Sequence, residues 1–558
     1  MRRWFSVRPR VVMLAVGAVL LAGSGIFVGF GLADTDYFFK INKSIDIFGR
    51  VYKEVTLNYV DEVDPEKFME AGIDGLLGTL DPYTNFISES ESDEVELITT
   101  GKYGGIGVTI GLRDGNITVI TLMEGYSAQR QGIQPGDHII EIDGKSIVGS
   151  KPESVRSMTR GEPGTELRLK VEREGEEKPL EFVLVREEIQ LHNVSYSDFV
   201  GDGIGYVRLE RFSRGAGDEL RLAIKELKLK GPVKGLILDL RDNPGGLLDV
   251  AVDVVEKFAA KGSLVVSTKG RKPESERKFF VTEEPMLPDV PLAVLVNRNS
   301  ASASEIVAGA IQDLDRGIIL GTRSFGKGLV QTITPLSYNT QLKITTAKYY
   351  TPSGRCIQEI DYMHKNRDGV FATTPDSLRR LFKTAKGRKE FESGGIQPDT
   401  AVPEPVRSDV YSELLRKSMY FKFATRFVSN QKEAPAALDG DSLFRQFKDF
   451  VAGQKFTFQD DGGKKLAELT DAARKLHYSE AVMAELDKLG KDVDREKSMS
   501  LDRDRDGIVS ALKVEIMSRY KGEHGRIETS LLDDVQLKTA RSLLTDAKGY
   551  SRLLSAQR

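Results

Sequence analysis

A serine hydroxyl attacks a carbonyl well only when a neighbouring base removes its proton, so the places to look are those where serines and bases share a turn. Two short stretches of the 558-residue chain have that character, Asn299-Ser300-Ala301-Ser302-Ala303-Ser304-Glu305 and Ser324-Phe325-Gly326-Lys327-Gly328-Leu329-Val330-Gln331, and a glycine turn in the same setting, Asp239-Leu240-Arg241-Asp242-Asn243-Pro244-Gly245-Gly246, precedes them. Each follows an apolar, strand-like run, and turns at strand ends are where α/β enzymes assemble their sites. The five histidines are His138, His192, His364, His477 and His524. None falls in a turn of this kind and no G-x-S-x-G elbow occurs, so a Ser-His-Asp triad is disfavoured.

In their order, with Lys327 following Ser302 by twenty-five residues, the three stretches closely resemble the carboxyl-terminal processing (tail-specific) proteases, serine peptidase family S41. The resemblance covers roughly residues 40 to 400. It implies that Ser302 is the nucleophile, Lys327 the general base and Gln331 the residue that orients the lysine. It also implies a crotonase-like α/β protease core and endopeptidase action that needs no metal or organic cofactor. The reading from a different class is a non-catalytic scaffold that keeps the fold and only binds peptides; intact Ser302, Lys327 and Gln331 argue against it.

The chemistry sets its own conditions. Lysine is a base only when neutral, so its ordinary pKa near ~10.4 must fall towards neutrality, at a cost of about 4 kcal/mol. The apolar flanks Phe325, Leu329 and Val330 suit a dry site. Gln331 can accept a lysine hydrogen bond without adding charge, whereas a carboxylate there would work against the mechanism. The developing oxyanion needs preorganised N–H donors, each typically contributing ~2.7 to 4 kcal/mol. Gly245 and Gly246 allow close backbone approach, and the Ala303 N–H opens the helix that continues through Glu305-Ile306-Val307. Asp239, Arg241 and Glu305 read as an ion-pair scaffold around these turns.

Two other patterns overlap the lysine. Gly321 to Lys327 has phosphate-loop spacing, but Gly328 stands where a Ser or Thr would hold magnesium. Ser324 to Lys327 is an S-x-x-K match without a K-T-G partner, which makes Ser324 the second-choice nucleophile.

The elements that must position these turns follow from periodicity. Residues 188 to 402 alternate strand-like and helix-like runs, as an α/β core does, with a polar insertion at 359–393 that reads as solvated. Ahead of it, residues 34–92 are helical in spacing and 93–187 form a β-rich module. In that module Tyr103-Gly104-Gly105-Ile106-Gly107-Val108, Ser127-Ala128-Gln129 and Gly132-Ile133-Gln134-Pro135-Gly136-Asp137 resemble the PDZ domains of bacterial proteases. Consecutive N–H groups over Gly105, Ile106, Gly107 and Val108 suit a nest for a terminal carboxylate, and the adjoining strand edge can take a peptide as an added strand. Protein substrates held by their C-termini are the partners this implies. Residues 403–558 are amphipathic helix, an appendage for assembly, such as a homo-oligomer, or for substrate access.

Composition closes several alternatives. With 80 Lys+Arg against 83 Asp+Glu there is no basic field for nucleic acid. Cys356 is the only cysteine, so neither an intramolecular disulfide nor a cysteine metal cluster can form. Asp502, Asp504, Asp506 and Gly507 copy the start of a calcium loop, but Lys513 occupies the position of its bidentate glutamate. Four arginines within the first ten residues precede an uncharged apolar run, Val11 to Ala33, which reads as an export signal, either cleaved after Ala33 or kept as a membrane anchor. The expected location is periplasmic or otherwise extracytoplasmic.

Overall fold

The structure is a computed structural model, and the residues it describes are 36–365, 371–431, 433–458 and 460–555. The run read as an export signal, Val11 to Ala33, lies outside them. Among the described residues no helix is long and apolar enough to cross a membrane. The chain divides into two units, up to Phe86 and from Ile87 onward. In the first, a helix over 36–58 is followed by the helix Pro65–Leu77, which Asp64 caps by accepting the Glu66 and Lys67 N–H groups. Tyr52 stacks on Phe68 between them.

The second unit is built on a six-stranded sheet in the order Val194–Phe199, Ile204–Leu209, Gly235–Asp239, Leu292–Val296, Ile318–Gly321, Thr400–Ala401. The first pair is antiparallel and the rest are parallel. Gly235–Asp239 and Leu292–Val296 are buried at every residue, as central parallel strands covered on both faces must be. Leu236, Leu238, Val294, Val296 and Ile319 face the helices Ala216–Lys230, Leu248–Glu256 and Ala303–Asp313. Alternate residues, among them Ile237, Ala293, Leu295 and Leu320, face Ile527, Leu537, Ala540, Leu544 and Tyr550.

The helical C-terminal region therefore has two duties rather than one. Helices Asp409–Arg416, Met419–Asn430 and Gly440–Gly453 and the start of Arg505–Leu531 make a core of their own. Gly522, at φ 60° and ψ −152°, breaks the long helix, and the segments beyond it cover the second face of the protease sheet. A parallel sheet left bare on that face would expose two central apolar strands, which explains why the last helices belong to it.

An antiparallel sheet stands beside this core, with Leu329–Pro335 paired to Gln341–Tyr350, and Gln341–Tyr350 to Leu264–Gly270. The insertion departs from expectation: Arg388 and Glu390, in and beside the hairpin Leu381–Lys383/Lys389–Phe391, are buried rather than solvated. Arg388 pairs with Asp315 at 2.6 Å and with Asp399, and the fully buried Arg355 pairs with Asp313 at 2.9 Å and Glu390 at 3.5 Å. These partners sit at the C-terminal end of the helix Ala303–Asp313, so the insertion is fastened there by charge.

The β-rich module is a sheet of Val108–Arg113, Asn116–Leu122, His138–Ile142, Glu166–Glu172 and Leu180–Val185, packed with the helix Pro152–Thr159 around Val119, Ile142, Val155 and Leu167. It joins the core through Lys102–Gly105, paired antiparallel with Glu187–Gln190.

Candidate active site and tail-binding groove

The three turns singled out in the sequence meet. Asn243 organises the meeting: its carbonyl accepts the Ala301 N–H at 3.1 Å and the Ser304 hydroxyl at 2.9 Å, and its Nδ2 donates to Leu209 O at 2.7 Å. The Ser300 hydroxyl donates to Leu240 O at 2.8 Å, and Phe325 N–H to Ser300 O at 3.0 Å.

Ser302 is the N-cap of the fully buried helix Ala303–Asp313, at φ 55° and ψ −111°. For a residue with a Cβ such a conformation costs about 1–3 kcal/mol and persists only where the surroundings enforce it. Glu305 is the enforcer. Its Oε2 accepts the Ser302 and Lys327 N–H groups, each at 2.9 Å, and its Oε1 accepts the Ser324 hydroxyl at 2.6 Å and the Gly326 N–H at 2.7 Å. The Tyr349 hydroxyl adds a second tie, 3.1 Å from Ser302 O and 2.5 Å from Lys327 O. Glu305 is wholly buried, and this desolvation pushes its carboxyl up to about 7 against the pull of its four donors.

The Glu305 carboxylate thus lies against the Lys327 backbone, while the side chain expected to orient the lysine is the uncharged Gln331. Its two oxygens are taken up by four hydrogen bonds to the loop. Around Lys327, itself half-buried, Leu329 is buried and Val330 packs on the core, but Phe325 is 45% exposed and shields little. Gln331 Nε2 donates to Thr345 Oγ1 at 3.2 Å. Ser324 loses its claim as an alternative nucleophile: its hydroxyl donates to Glu305 and accepts the Ile396 N–H at 2.6 Å, in a buried position.

The glycine turn is also more particular than the sequence suggested. The Gly245 N–H is spent on Asn243 Oδ1 at 2.9 Å, so Gly245 is removed from the oxyanion donors. What it provides is space. At φ 100° a Cβ there would stand 2.6 Å from Ala301 O and 2.8 Å from Ala303 N. Among the described residues the N–H groups of Gly246 and Ala303 enter no hydrogen bond.

Asp239 and Arg241 are the scaffold expected of them. The Asp239 carboxylate takes the Tyr206 hydroxyl at 2.6 Å and the Arg241 guanidinium at 2.5 Å, and Arg241 reaches on to Asp534 at 2.6 Å and Gln536 at 2.9 Å. Burial works to raise the Asp239 carboxyl, but Arg241 outweighs it and holds it below the usual range. Histidine stays away from these turns: His138 bonds Thr118, His192 is exposed beside Glu219, and His524 lies against Tyr196. Asp502 pairs with Lys448 and Asp504 bonds Ser408, both in helical turns rather than an open loop. No cluster among the described residues could hold a metal ion.

At the other candidate site, Gly107 takes φ 78°, and a Cβ would meet Tyr126 at 2.6 Å. The Ile106 and Gly107 N–H groups enter no hydrogen bond among the described residues, and Val108 opens the strand that pairs with Asn116–Leu122. Beside them is a cavity of about 160 Å³ bordered by Ile106, Val108, Ile110, Met123, Arg156 and Arg160. The Arg160 guanidinium lies 5.0 Å over the Tyr103 ring. Positive charge beside free N–H groups suits an anionic chain end.

Residues 203–364 match Peptidase family S41, and residues 94–172 match the PDZ domain. Residues 410–544 match a family described as Probable PDZ-protease, C-terminal helical domain. The Carboxy-terminal-processing protease of Bartonella bacilliformis is 40% identical over 354 residues, 63% of this chain and 81% of that one. The Carboxy-terminal processing protease CtpB of Bacillus subtilis is 30% identical over 468 residues, 80% and 97% of the two chains. The chain belongs to the carboxy-terminal-processing proteases of peptidase family S41. The solved photosystem II D1 C-terminal processing protease is 26% identical and covers 64% of this chain and 92% of its own, at a TM-score of 0.34, too low to add to the argument.

Within this protease, the residue that the sequence reading left in the background is Glu305. Its signal was present, because Ser302 and Glu305 form an S-x-x-E capping-box pattern at a helix start. Nothing in the sequence said that the same carboxylate also gathers Ser324, Gly326 and Lys327, which lie about twenty residues downstream.

Proposed function

We propose that this protease is an exported serine endopeptidase in which Lys327 activates Ser302, and that its PDZ domain selects substrates by their C-termini. The observation that carries the reading is the Glu305 carboxylate, which binds the backbone of Ser302 and of Lys327 through one oxygen. Two chain segments with no other reason to share a buried charge are thereby kept in register.

In the reaction, Lys327 Nζ takes the proton of Ser302 Oγ as Oγ bonds to the substrate carbonyl carbon, and the Gly246 and Ala303 N–H groups receive the oxyanion. Lys327 then gives the proton to the leaving amine as the C–N bond breaks. In the second half Lys327 takes a proton from water, whose oxygen attacks the acyl-enzyme, and Ser302 leaves with that proton. Gln331 Oε1 orients the ammonium without adding charge. Export is supported by the arginine-flanked apolar run at 11–33.

The test is cleavage of an unfolded, tail-bearing protein, together with labelling by a fluorophosphonate, in the native enzyme, Ser302→Ala and Ser324→Ala. Ser302→Ala should abolish both signals. Ser324→Ala should keep the labelling, at a lower rate because Glu305 loses one donor. The reverse pattern refutes the assignment.

A further inference from the structure

The chain enters and leaves the PDZ domain through one two-stranded ribbon, Lys102–Gly105 with Glu187–Gln190. A body carried on such a ribbon keeps a soft rotation about it unless something else holds it. A second hold exists at the far end of the hairpin Val108–Arg113/Asn116–Leu122, about 20 Å along the strand from the glycine loop. There Asp114 pairs with Lys422 at 2.5 Å, and the Arg113 guanidinium lies 5.9 Å over the ring of Phe421.

Phe421 and Lys422 stand on the helix Met419–Asn430 of the C-terminal helical domain. The other cation on Phe421 is Arg519, at 4.3 Å; its Nε and Nη2 are buried without a hydrogen-bond partner, so the ring, Glu515 and the Ser518 hydroxyl are what hold it. Next to this sandwich the PDZ loop at Gly136 comes so close that a Cβ there would be 2.5 Å from the Thr425 methyl. Three separate contacts thus converge on one turn of one helix.

The clamped strand is the one that matters for substrate. Among the described residues Val108–Arg113 pairs on one side only, with Asn116–Leu122, and its other edge is open for an added strand. A contact 20 Å out on this lever arm fixes the direction of any peptide laid along it far better than the ribbon alone. We propose that Phe421, Lys422 and Thr425 are positioning residues that clamp the PDZ hairpin, so that the direction of a C-terminal tail lying on Val108–Arg113 is fixed relative to the catalytic turns. This rests on the reading of Ser302 as nucleophile and of the PDZ domain as the tail reader.

The experiment has two arms, both in a Cys356→Ser background. In the first, Gly136→Cys and Thr425→Cys are combined, since the two Cβ positions are 3.4 Å apart, close to disulfide reach. The reduced double variant serves as its own reference for the strain of a side chain at Gly136. The cross-link should form under mild oxidant, and the oxidised enzyme should keep its preference for a free over an amidated tail. In the second arm, Lys422→Asp and Asp114→Lys should each raise KM for a tail-bearing protein roughly three- to tenfold. Turnover of a short tail-less peptide should not change, and the combined swap should restore KM. Failure to cross-link, loss of activity on cross-linking, or faster turnover in either single variant overturns the proposal. If the native enzyme cuts free and amidated tails alike, tail reading and the presenting role both fall, while cross-linking still decides whether the clamp exists.

Discussion

Glu305 gives the sharpest test because stability and activity should move in opposite directions. Its carboxyl, ordinarily at 4.5, is pushed up to about 7 by burial. Between those values the folded enzyme holds a proton that the unfolded chain has released. This group's contribution to stability is therefore full below pH 4.5 and is lost as pH rises through 7. The difference of about two and a half pKa units corresponds to about 3 kcal/mol. Glu305→Gln removes the titration. Its carboxamide fits best with Oε1 receiving Ser302 and Lys327 and Nε2 facing Ser324, whose hydroxyl can turn to accept; the Gly326 N–H and the Ser324 O–H then lose this acceptor. The uncharged group resembles the protonated acid, so at pH 5 variant and native enzyme should agree within about 1 kcal/mol, and at pH 8 the variant should be the more stable by about 3 kcal/mol. Turnover should fall about ten- to a hundredfold, because Gly326 precedes Lys327 and a shift there moves the base. Hydrogen exchange of peptides spanning Ala303–Asp313 at the two pH values measures the first effect, and kcat on an unfolded protein the second. A variant with the native pH slope refutes the buried, raised carboxyl. A variant with native kcat refutes its role in holding the lysine.

Lys327→Arg should abolish turnover with the fold intact by circular dichroism, since an arginine cannot lose its charge at usable pH; residual proteolysis above the Ser302→Ala background excludes lysine as the base. Gly245→Ala should cost at least as much activity as loss of one oxyanion donor, about a hundredfold, because its Cβ drives into Ala301 and Ala303 even though its own N–H is already bonded; a mild effect in a kcat assay shows that the two turns can part without harm. Amidating a substrate's C-terminus should lower kcat/KM about ten- to a hundredfold, the worth of one charge-assisted hydrogen bond, and deleting residues 101–186 should erase that difference; equal cleavage of both forms by the intact enzyme refutes tail reading.

The parts legible in the sequence were those written in local chemistry. Turn residues after apolar runs located the three stretches that the fold brings together, and glycines at Gly105 and Gly107 marked the PDZ loop. What escaped was every feature set by a distant partner. Arg388 and Glu390 read as solvated because charged residues usually are; their partners Asp315, Asp399 and Arg355 come together only through the fold. The amphipathic pattern of the last helices declares a buried face without saying against what, and Leu537, Ala540 and Leu544 turn out to complete the protease sheet. At Gly245 the sequence signalled close approach correctly, but only Asn243 Oδ1 reveals that the N–H is already taken.

These long-range pieces explain how a strained serine is kept. The helix Ala303–Asp313 is buried at every residue and is fastened at both ends. At its start Glu305 and Tyr349 hold the Ser302 backbone in a conformation that an unconstrained serine would leave. At its end Asp313 meets Arg355, which also reaches Glu390, and desolvation pushes the Glu390 carboxyl up to about 7 as well. A rod pinned only at its start would relieve the strain by sliding or tilting. Pinned also through Asp313 and Asp315 to the hairpin that carries Arg388 and Glu390, it cannot do so without unpairing buried charges, which typically costs several kcal/mol per pair and exceeds the roughly 1–3 kcal/mol stored at Ser302. The buried half of the polar insertion is thus the counterweight to the strained Ser302 turn.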